Sequence, residues 1–273
     1  MPAADTGARL SALRLVSFIP QARDAVHVGL LTPDAQQVVD LTHLGISDAL
    51  DAFERLSMLR QTAGAIVNGA ARTSFAVSEV HLVAPIPLVR SVVRVTDTAA
   101  LHFADPATLH GPGGHLGRAE AAGAHVGLAA VVGETLEATR SCSDAQLDRA
   151  LSGSVLVIGW PQAGPDGDRV VLPGAVGPFV AVPRRRPESL LLTVVAPLDV
   201  HGTPDAKHTH RAPSDEEFLS LAREALRTHT LRPGDLLTIF PGHAPAPEGT
   251  VMAGGSWIRA TAPGLGTLSL AVR

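Results

Sequence analysis

The run His125-Val126-Gly127-Leu128-Ala129-Ala130-Val131-Val132-Gly133 consists almost entirely of small and branched apolar residues and ends at a glycine. A continuous apolar run of this kind predicts a strand that is buried on both faces. Two further stretches follow it along the chain, Val155-Leu156-Val157-Ile158-Gly159-Trp160 and Leu231-Arg232-Pro233-Gly234-Asp235-Leu236-Leu237. The first is another buried strand, and the second is a turn that leads into a strand. Together they predict a strand-rich domain.

The composition predicts a folded chain with a sizeable core. Of its 273 residues, 45% are hydrophobic and 18% are charged, which suits one large domain plus a small one. The net charge of −4 argues against nucleic acid or an anionic membrane as the main partner. The basic cluster Arg184-Arg185-Arg186 lies between prolines and is predicted to be a solvated turn.

The residue inventory also limits the compartment and the chemistry. The single cysteine, Cys142, excludes an internal disulfide and predicts a reducing, cytoplasmic location. We expect neither a signal peptide nor a membrane span, because residues 1–7 lack the required pattern and the apolar runs are short. There is no tyrosine, so an acid–base step would use histidine, a carboxylate, lysine, cysteine or water.

Strand and turn signals divide the chain in two. We predict a small N-terminal domain over residues 1–85 and a main domain over residues 86–273, with prolines at 85 and 87 marking the junction. Strands alternate with turns in residues 13–41, and a helix is expected from a cap at Ser47. The main domain is predicted to hold two helices, capped at Ser143 and Ser214, among short strands. The fold class is therefore mixed α/β, strand-rich, and closed or rolled rather than doubly wound.

Several short motifs occur in a fixed order along the main domain. They are Ala84-Pro85-Ile86-Pro87, Gly111-Pro112-Gly113, Gly177-Pro178-Phe179-Val180-Ala181-Val182-Pro183, Leu231-Arg232-Pro233-Gly234-Asp235 and Gly264-Leu265-Gly266-Thr267-Leu268. With the two strand motifs above, this series resembles the fumarylacetoacetate hydrolase (FAH) superfamily over almost the whole chain. The resemblance implies an FAH-like β-sandwich roll with a small N-terminal α+β domain, and a homodimer.

The same resemblance implies that the metal site has been lost. In the family, two glutamates and an aspartate hold a divalent ion, and the matching positions here carry His125, Gly127 and Gly159. The family's catalytic histidine loop has no counterpart before His102, and Arg169 is the only cation where the family has lysine. Because Mg²⁺ is held through carboxylate oxygens, we expect no metal ion and no other cofactor.

His125 is the predicted catalytic residue, because its position corresponds to a ligand position of the family. An imidazole there could act as general acid or base on an enolisable substrate, or could simply hydrogen-bond the pocket wall. Trp160 is a candidate for substrate contact or for packing. Gln162 and Arg169 could hold a carboxylate or carbonyl group.

Two further histidines complete the predicted substrate-binding set. His102 lies near turns that rim the pocket in the family. His208 belongs to the polar segment His201 to His210, and would lie on the same side as His210 if the chain were extended there. That segment could bind a softer metal such as Zn²⁺, but the absence of an acidic or cysteine partner favours a solvated loop.

Two functions follow as hypotheses. The first is a metal-independent enzyme that acts on an enolisable oxo-acid or β-dicarbonyl by isomerisation, dehydration, cyclisation or C–C cleavage. The second is a catalytically inactive protein that binds a ligand or a partner subunit. A pocket packed shut by Phe240 and Trp160 would count against the enzyme.

Overall fold

A computed structural model of the protein describes residues 12–21, 23–69, 73–86, 90–95, 98–103, 109–117, 123–138, 141–163, 169–195, 206–243 and 254–273. None of the helices in these ranges is long and apolar enough to cross a membrane.

Strands dominate the described chain. In chain order they are β1 (Leu13–Pro20), β2 (His27–Leu31), β3 (Gln37–Asp40), β4 (Ser74–Ala76), β5 (Val80–Val83), β6 (Arg90–Val95), β7 (Thr98–Phe103), β8 (His115–Leu116), β9 (His125–Val132), β10 (Leu151–Ala163), β11 (Arg169–Val182), β12 (Ser189–Val195), β13 (Ala206–Arg211), β14 (Leu236–His243), β15 (Trp257–Ala262) and β16 (Gly266–Val272). The helices among the same residues are α1 (Ala49–Glu54), α2 (Leu56–Asn68), α3 (Asp144–Ala150) and α4 (Asp215–Leu226).

The strands form two sheets. The large sheet has the order β4-β3-β2-β1-β11-β10-β9-β14-β6-β7, with β5 also pairing with β1. The small sheet has the order β13-β12-β15-β16-β8. The strand-rich mixed α/β prediction is confirmed.

The core lies on both faces of the large sheet. One face packs against α1 and α2, so that Phe53 shares a cluster with Val157 and Phe240. The other face packs against the small sheet and α4, where Ile158 lies in one cluster with Leu192 and Phe218. Side chains alternate between these two clusters along β9 and β10, as the period of a strand requires. The alternation decides which residues can share a site.

The predicted domain boundary at residue 85 does not coincide with a break between sheets. β1 pairs directly with β11, with Leu13 opposite Val182 and Leu15 opposite Val180. The N-terminal strands therefore continue the large sheet, while the division into residues 1–85 and 86–273 remains a prediction.

The helix predictions hold with small shifts. Ser143 and Ser214 cap α3 and α4, each with a capping box. The single helix expected from Ser47 is two helices, and Asp48 is the N-cap of the first, accepting hydrogen bonds from the backbone N–H groups of Leu50 and Asp51. An aspartate oxygen at this position satisfies otherwise unpaired helix donors.

The prediction of a solvated turn at the three arginines is wrong for Arg184. Its side chain is only 5% exposed and lies between Asp148 on α3 and Asp215 on α4, at 2.6 and 2.8 Å. It also lies over the ring of Phe218, 5.8 Å from the centroid. The turn ties the two helices together because a buried guanidinium must be paired.

Candidate functional site

The three positions that the resemblance to the FAH superfamily matches to metal ligands, His125, Gly127 and Gly159, lie together on one face of the large sheet. His125 on β9 is directly opposite Gly159 on β10. Gly127 follows two residues along β9 and therefore points to the same face as His125. The backbone therefore brings these three residues together at one face.

The ring of Phe240, on the neighbouring strand β14, occupies the space in front of both glycines. A Cβ atom on Gly127 would lie 2.6 Å from Cδ1 of Phe240, and one on Gly159 would lie 2.5 Å from its Cζ. Real Cβ atoms do not approach other atoms this closely. Phe240 is 1% exposed. The glycines and the phenylalanine therefore fit each other as one packed unit.

This packing does not fit a divalent ion. The two glycines bring no ligand atoms, and the ring fills the volume that side chains at these positions would need. A hard cation requires several oxygen ligands at about 2.0–2.6 Å, which a phenyl ring cannot supply. Within the described ranges, no group of three or more His, Cys, Asp or Glu residues is arranged to hold a metal ion.

His125 places a titratable side chain at this face. It is half-buried at the start of β9, opposite His243 on β14. The centroids of the His125 and Phe240 rings are 6.1 Å apart, with a 76° angle between the ring planes. An imidazole that is partly exposed at a strand end can exchange protons with a bound molecule.

Trp160 faces away from His125. It is 4% exposed and belongs to the cluster between the two sheets. A Cβ atom on Gly174 would lie 1.9 Å from the indole Cη2, and the rings of Trp160 and His110 are 6.2 Å apart. The indole therefore packs over Gly174, on the face of the sheet that points away from His125. This favours the packing interpretation over substrate contact near His125.

The backbone places the other predicted residues at separate locations. Gln162 and Arg169 lie at the end of the β10–β11 hairpin, where Gln162 is opposite Val170 and Ala163 is opposite Arg169. His102 on β7 is opposite Ser91 of β6, and Ser91 is opposite Leu236 of β14. Leu236 is at the start of β14, whereas His125 pairs with the end of that strand. The side chains of Gln162, Arg169 and His102 lie outside the described residues.

The polar segment that was predicted to be a solvated loop is a strand over its described part. His208 and His210 lie on β13, opposite Leu192 and Leu190 of β12. Both are half-buried, whereas Lys207 and Thr209 are exposed, as expected for an extended chain. His201 lies outside the described residues. His208 belongs to the small sheet and is not adjacent to His125.

A buried polar cluster that was not predicted from the sequence lies at β2 and β3. Asp40, at the end of β3, is 2% exposed. One of its carboxylate oxygens lies 2.9 Å from Nδ1 of His27. The other accepts hydrogen bonds from the hydroxyl of Thr42, at 2.6 Å, and from the Thr42 backbone N–H, at 2.8 Å. The Asp-x-Thr spacing is the signal that could have revealed it.

The pKa of Asp40 reflects this environment. Burial by itself raises the pKa, but hydrogen bonds from Thr42 and His27 outweigh burial and hold it below its ordinary value of 3.8. Hydrogen bonds to the charged form of a carboxyl group act in this direction. The cluster is on the N-terminal part of the large sheet and fixes the β2–β3 pair.

Comparison with known proteins identifies the fold. No family model and no curated protein matches this sequence. Maleylpyruvate hydrolase from Sphingobium sp. SYK-6 is a similar solved structure, with a TM-score of 0.64 and 18% identity, over 95% of this chain and 98% of that chain. Another structure of that protein contains a manganese(II) ion and pyruvate.

Two mycobacterial structures are also similar. 2-Hydroxyhepta-2,4-diene-1,7-dioate isomerase from Mycobacterium marinum has a TM-score of 0.60 and 19% identity, over 95% of this chain and 98% of that chain. A probable isomerase of the same description from Mycobacterium abscessus has a TM-score of 0.64 and 20% identity, over 96% and 98%. These proteins belong to the FAH superfamily. The likeness confirms that this chain has the FAH fold along nearly its whole length.

Proposed function

We propose that this chain is a metal-independent enzyme with the FAH fold that transfers protons on an enolisable oxo-acid or β-dicarbonyl. The observation that carries the proposal is the exchange at one face of the large sheet. Phe240 fills the place of ligand side chains at Gly127 and Gly159, while His125 stays partly exposed beside it. Acid–base chemistry by imidazole needs no ion.

The substrate class is inferred from chemistry and from the similar structures. Their names describe a hydrolase of maleylpyruvate and an isomerase of a 2-hydroxydienedioate. The first substrate is an oxo-acid, and the second is the enol form of one. Compounds of this class have an acidic C–H next to a carbonyl group, which is the bond that a general base can break.

The proposed proton transfer needs no reactant other than the substrate and the His125 imidazole. Neutral His125 takes a proton from the carbon next to the carbonyl, and the electron pair of that C–H bond forms the enolate. The imidazolium then returns the proton to another carbon of the conjugated system. The net result is a shifted double bond, and the enzyme regains its neutral imidazole. Dehydration and cyclisation can each begin from the same enolate. C–C cleavage instead requires that water, deprotonated by His125, add to one carbonyl, after which the broken C–C bond releases an enolate that the imidazolium protonates.

The test is proton exchange in the absence of metal. Chelator-treated protein is incubated in D₂O with a panel of 2-oxo dicarboxylates of increasing chain length, and loss of the C3 proton signal is followed by NMR. We expect the wild-type chain to accelerate exchange on at least one member and His125→Gln to lose about 100-fold or more of that rate. His115→Gln is the matched control, because His115 is exposed on β8 of the small sheet.

The second candidate function is a non-catalytic protein, and the burial of Phe240 is the observation that favours it. A ring that closes the centre of the site leaves less space for a substrate. If no panel member exchanges above the background rate, or if His125→Gln exchanges as fast as wild type, acid–base catalysis by His125 is wrong. Binding of an oxo-acid without turnover would then favour the non-catalytic role. In either case we propose a small-molecule ligand and a homodimer.

A further inference from the structure

We infer that a groove between the N-terminal strands and the small sheet is a second ligand site, which takes a small organic anion with an apolar body. The groove has a volume of about 600 Å³, within the usual range for small-molecule sites. Its lining includes Arg14, Phe179, Leu191, Thr261, Gly266 and Thr267. The inference does not depend on the proposed function.

The groove is remote from His125. Arg14 on β1 is opposite Ala181 of β11. His125 on β9 is opposite Gly159 of β10, and Gly159 is in turn opposite Pro173 of β11. Eight residues of strand separate those two points, which corresponds to roughly 26 Å. A ligand in the groove would therefore not touch the face that carries His125.

The walls of the groove are mainly apolar. Phe179 forms part of one wall, and Leu191 and the turn after β15 form others. The turn is held close because Gly264 and Gly266 both have a positive φ, of 76°. A Cβ atom on Gly266 would lie 3.1 Å from the Phe179 ring, so the glycine allows the turn to approach the ring. A hydrocarbon chain or ring would gain contact with these side chains.

Arg14 gives the groove a positive charge at one end. Its guanidinium donates a hydrogen bond to the carbonyl oxygen of Pro33 at 3.2 Å and lies 5.3 Å from the centroid of Phe179. These two contacts hold the side chain over the groove, and the hydrogen bond to Pro33 uses one of the five guanidinium N–H donors. Arg185 adds a second cation next to the same turn, since a Cβ atom on Gly264 would lie 3.8 Å from its Cδ.

No acidic residue lies among the residues that line the groove. The polar groups other than Arg14 are hydroxyls, and two of these, on Thr261 and Thr267, bond to each other at 3.0 Å. A carboxylate paired with a held arginine beside apolar walls gives a charge-assisted, bidentate contact. The charge and lining therefore favour a free carboxylic acid with an apolar tail over a neutral apolar compound.

Calorimetric titration of the full chain with sodium decanoate, below its micelle concentration, tests this site. We expect wild type to bind decanoate and Arg14→Gln to bind it about tenfold more weakly, equivalent to about 1.4 kcal/mol. Leu191→Asp should also weaken binding, because it places a like charge in the apolar wall. Arg259→Gln is the matched control, since Arg259 is an exposed arginine of β15 outside the groove. 1-Decanol should bind more weakly than decanoate and be unaffected by Arg14→Gln.

Three results would overturn the inference. They are no binding of decanoate to wild type, equal loss in Arg14→Gln and Arg259→Gln, or binding to anionic lipid vesicles without binding of free decanoate. Thermal unfolding of each variant shows whether a lost signal reflects misfolding. His125→Gln should bind decanoate as wild type does, which keeps this test separate from that of the proposed function.

Discussion

Two regions of the large sheet differ in whether they hold a buried charged side chain. At the end of β3, Asp40 keeps a buried carboxylate, which receives hydrogen bonds from Thr42 and lies against His27. On β9 and β10, Gly127 and Gly159, two of the three positions that the resemblance to the FAH superfamily matches to carboxylates, are covered by Phe240. A buried carboxylate is stable only where donors or a cation satisfy it. In the first region hydrogen-bond donors stabilise a buried charge, and in the second an aromatic ring fills the space instead.

The largest expected effect comes from removing Phe240. Phe240→Ala should lower the free energy of unfolding by about 3–5 kcal/mol, because it leaves a cavity beside two glycines that cannot fill it. Gly127→Ala alone should cost about 1–3 kcal/mol, because its Cβ would lie 2.6 Å from the ring. Denaturant unfolding of both single variants and the double variant measures the coupling.

The double variant distinguishes a packed unit from two independent positions. With Phe240 removed, the Ile239 carbonyl oxygen, at 3.1 Å, is the close contact that remains among the three nearest atoms to a Cβ at Gly127, so the double variant should lose clearly less stability than the sum of the two single losses. Simple addition of the two losses would show that the Phe240 ring and a methyl group at Gly127 do not compete for the same volume. That result would contradict a single packed unit at this face.

A smaller effect is expected at Asp40. Thr42→Ala removes the hydroxyl donor but keeps the backbone one, so it should cost about 1–2 kcal/mol at neutral pH. The folded-state pKa of Asp40 is lowered, so its contribution is complete above the ordinary value of 3.8 and is lost as the pH falls through the lower folded value. The difference between Thr42→Ala and wild type should therefore shrink below about pH 4.

Chemical denaturation between pH 2.5 and pH 7 measures this dependence. Thr62→Ala is the control, because the described hydrogen bonds of the Thr62 hydroxyl, to the Met58 carbonyl and sulfur, are exposed and involve no titratable group. Its effect should not vary with pH. A loss in Thr42→Ala that is the same at pH 2.5 and pH 7 would contradict a charged, hydrogen-bonded Asp40.

Much of the fold could be predicted from the sequence, because the strand runs and capping boxes are local signals. β9 and both capping serines were placed correctly for this reason. β11 was not predicted, since Pro173, Gly174, Gly177 and Pro178 are unfavourable residues for the interior of a strand. The strand forms nevertheless, with register shifts opposite β10 and a partner in β1. Tertiary pairing overrides local preference in such segments.

The site could be predicted only in part. Order along the chain was enough to bring His125, Gly127 and Gly159 together. The position of the Phe240 ring was not predictable, because it depends on a register shift between Ile239 and Gly242 where β14 pairs with β9. Trp160 was a candidate for substrate contact or for packing, and strand alternation places its indole on the face away from His125. Residue spacing alone does not reveal such shifts.

The most direct test of the central claim is a calorimetric titration of Mn²⁺ into chelator-treated wild-type protein. Maleylpyruvate hydrolase from Sphingobium sp. SYK-6, one structure of which contains manganese(II), serves as the positive control. Because Phe240 occupies the ligand space at Gly127 and Gly159, we predict no stoichiometric binding to this chain at concentrations that saturate the control. Stoichiometric binding that is lost in His125→Gln would contradict the account, since it would mean that this face still holds an ion.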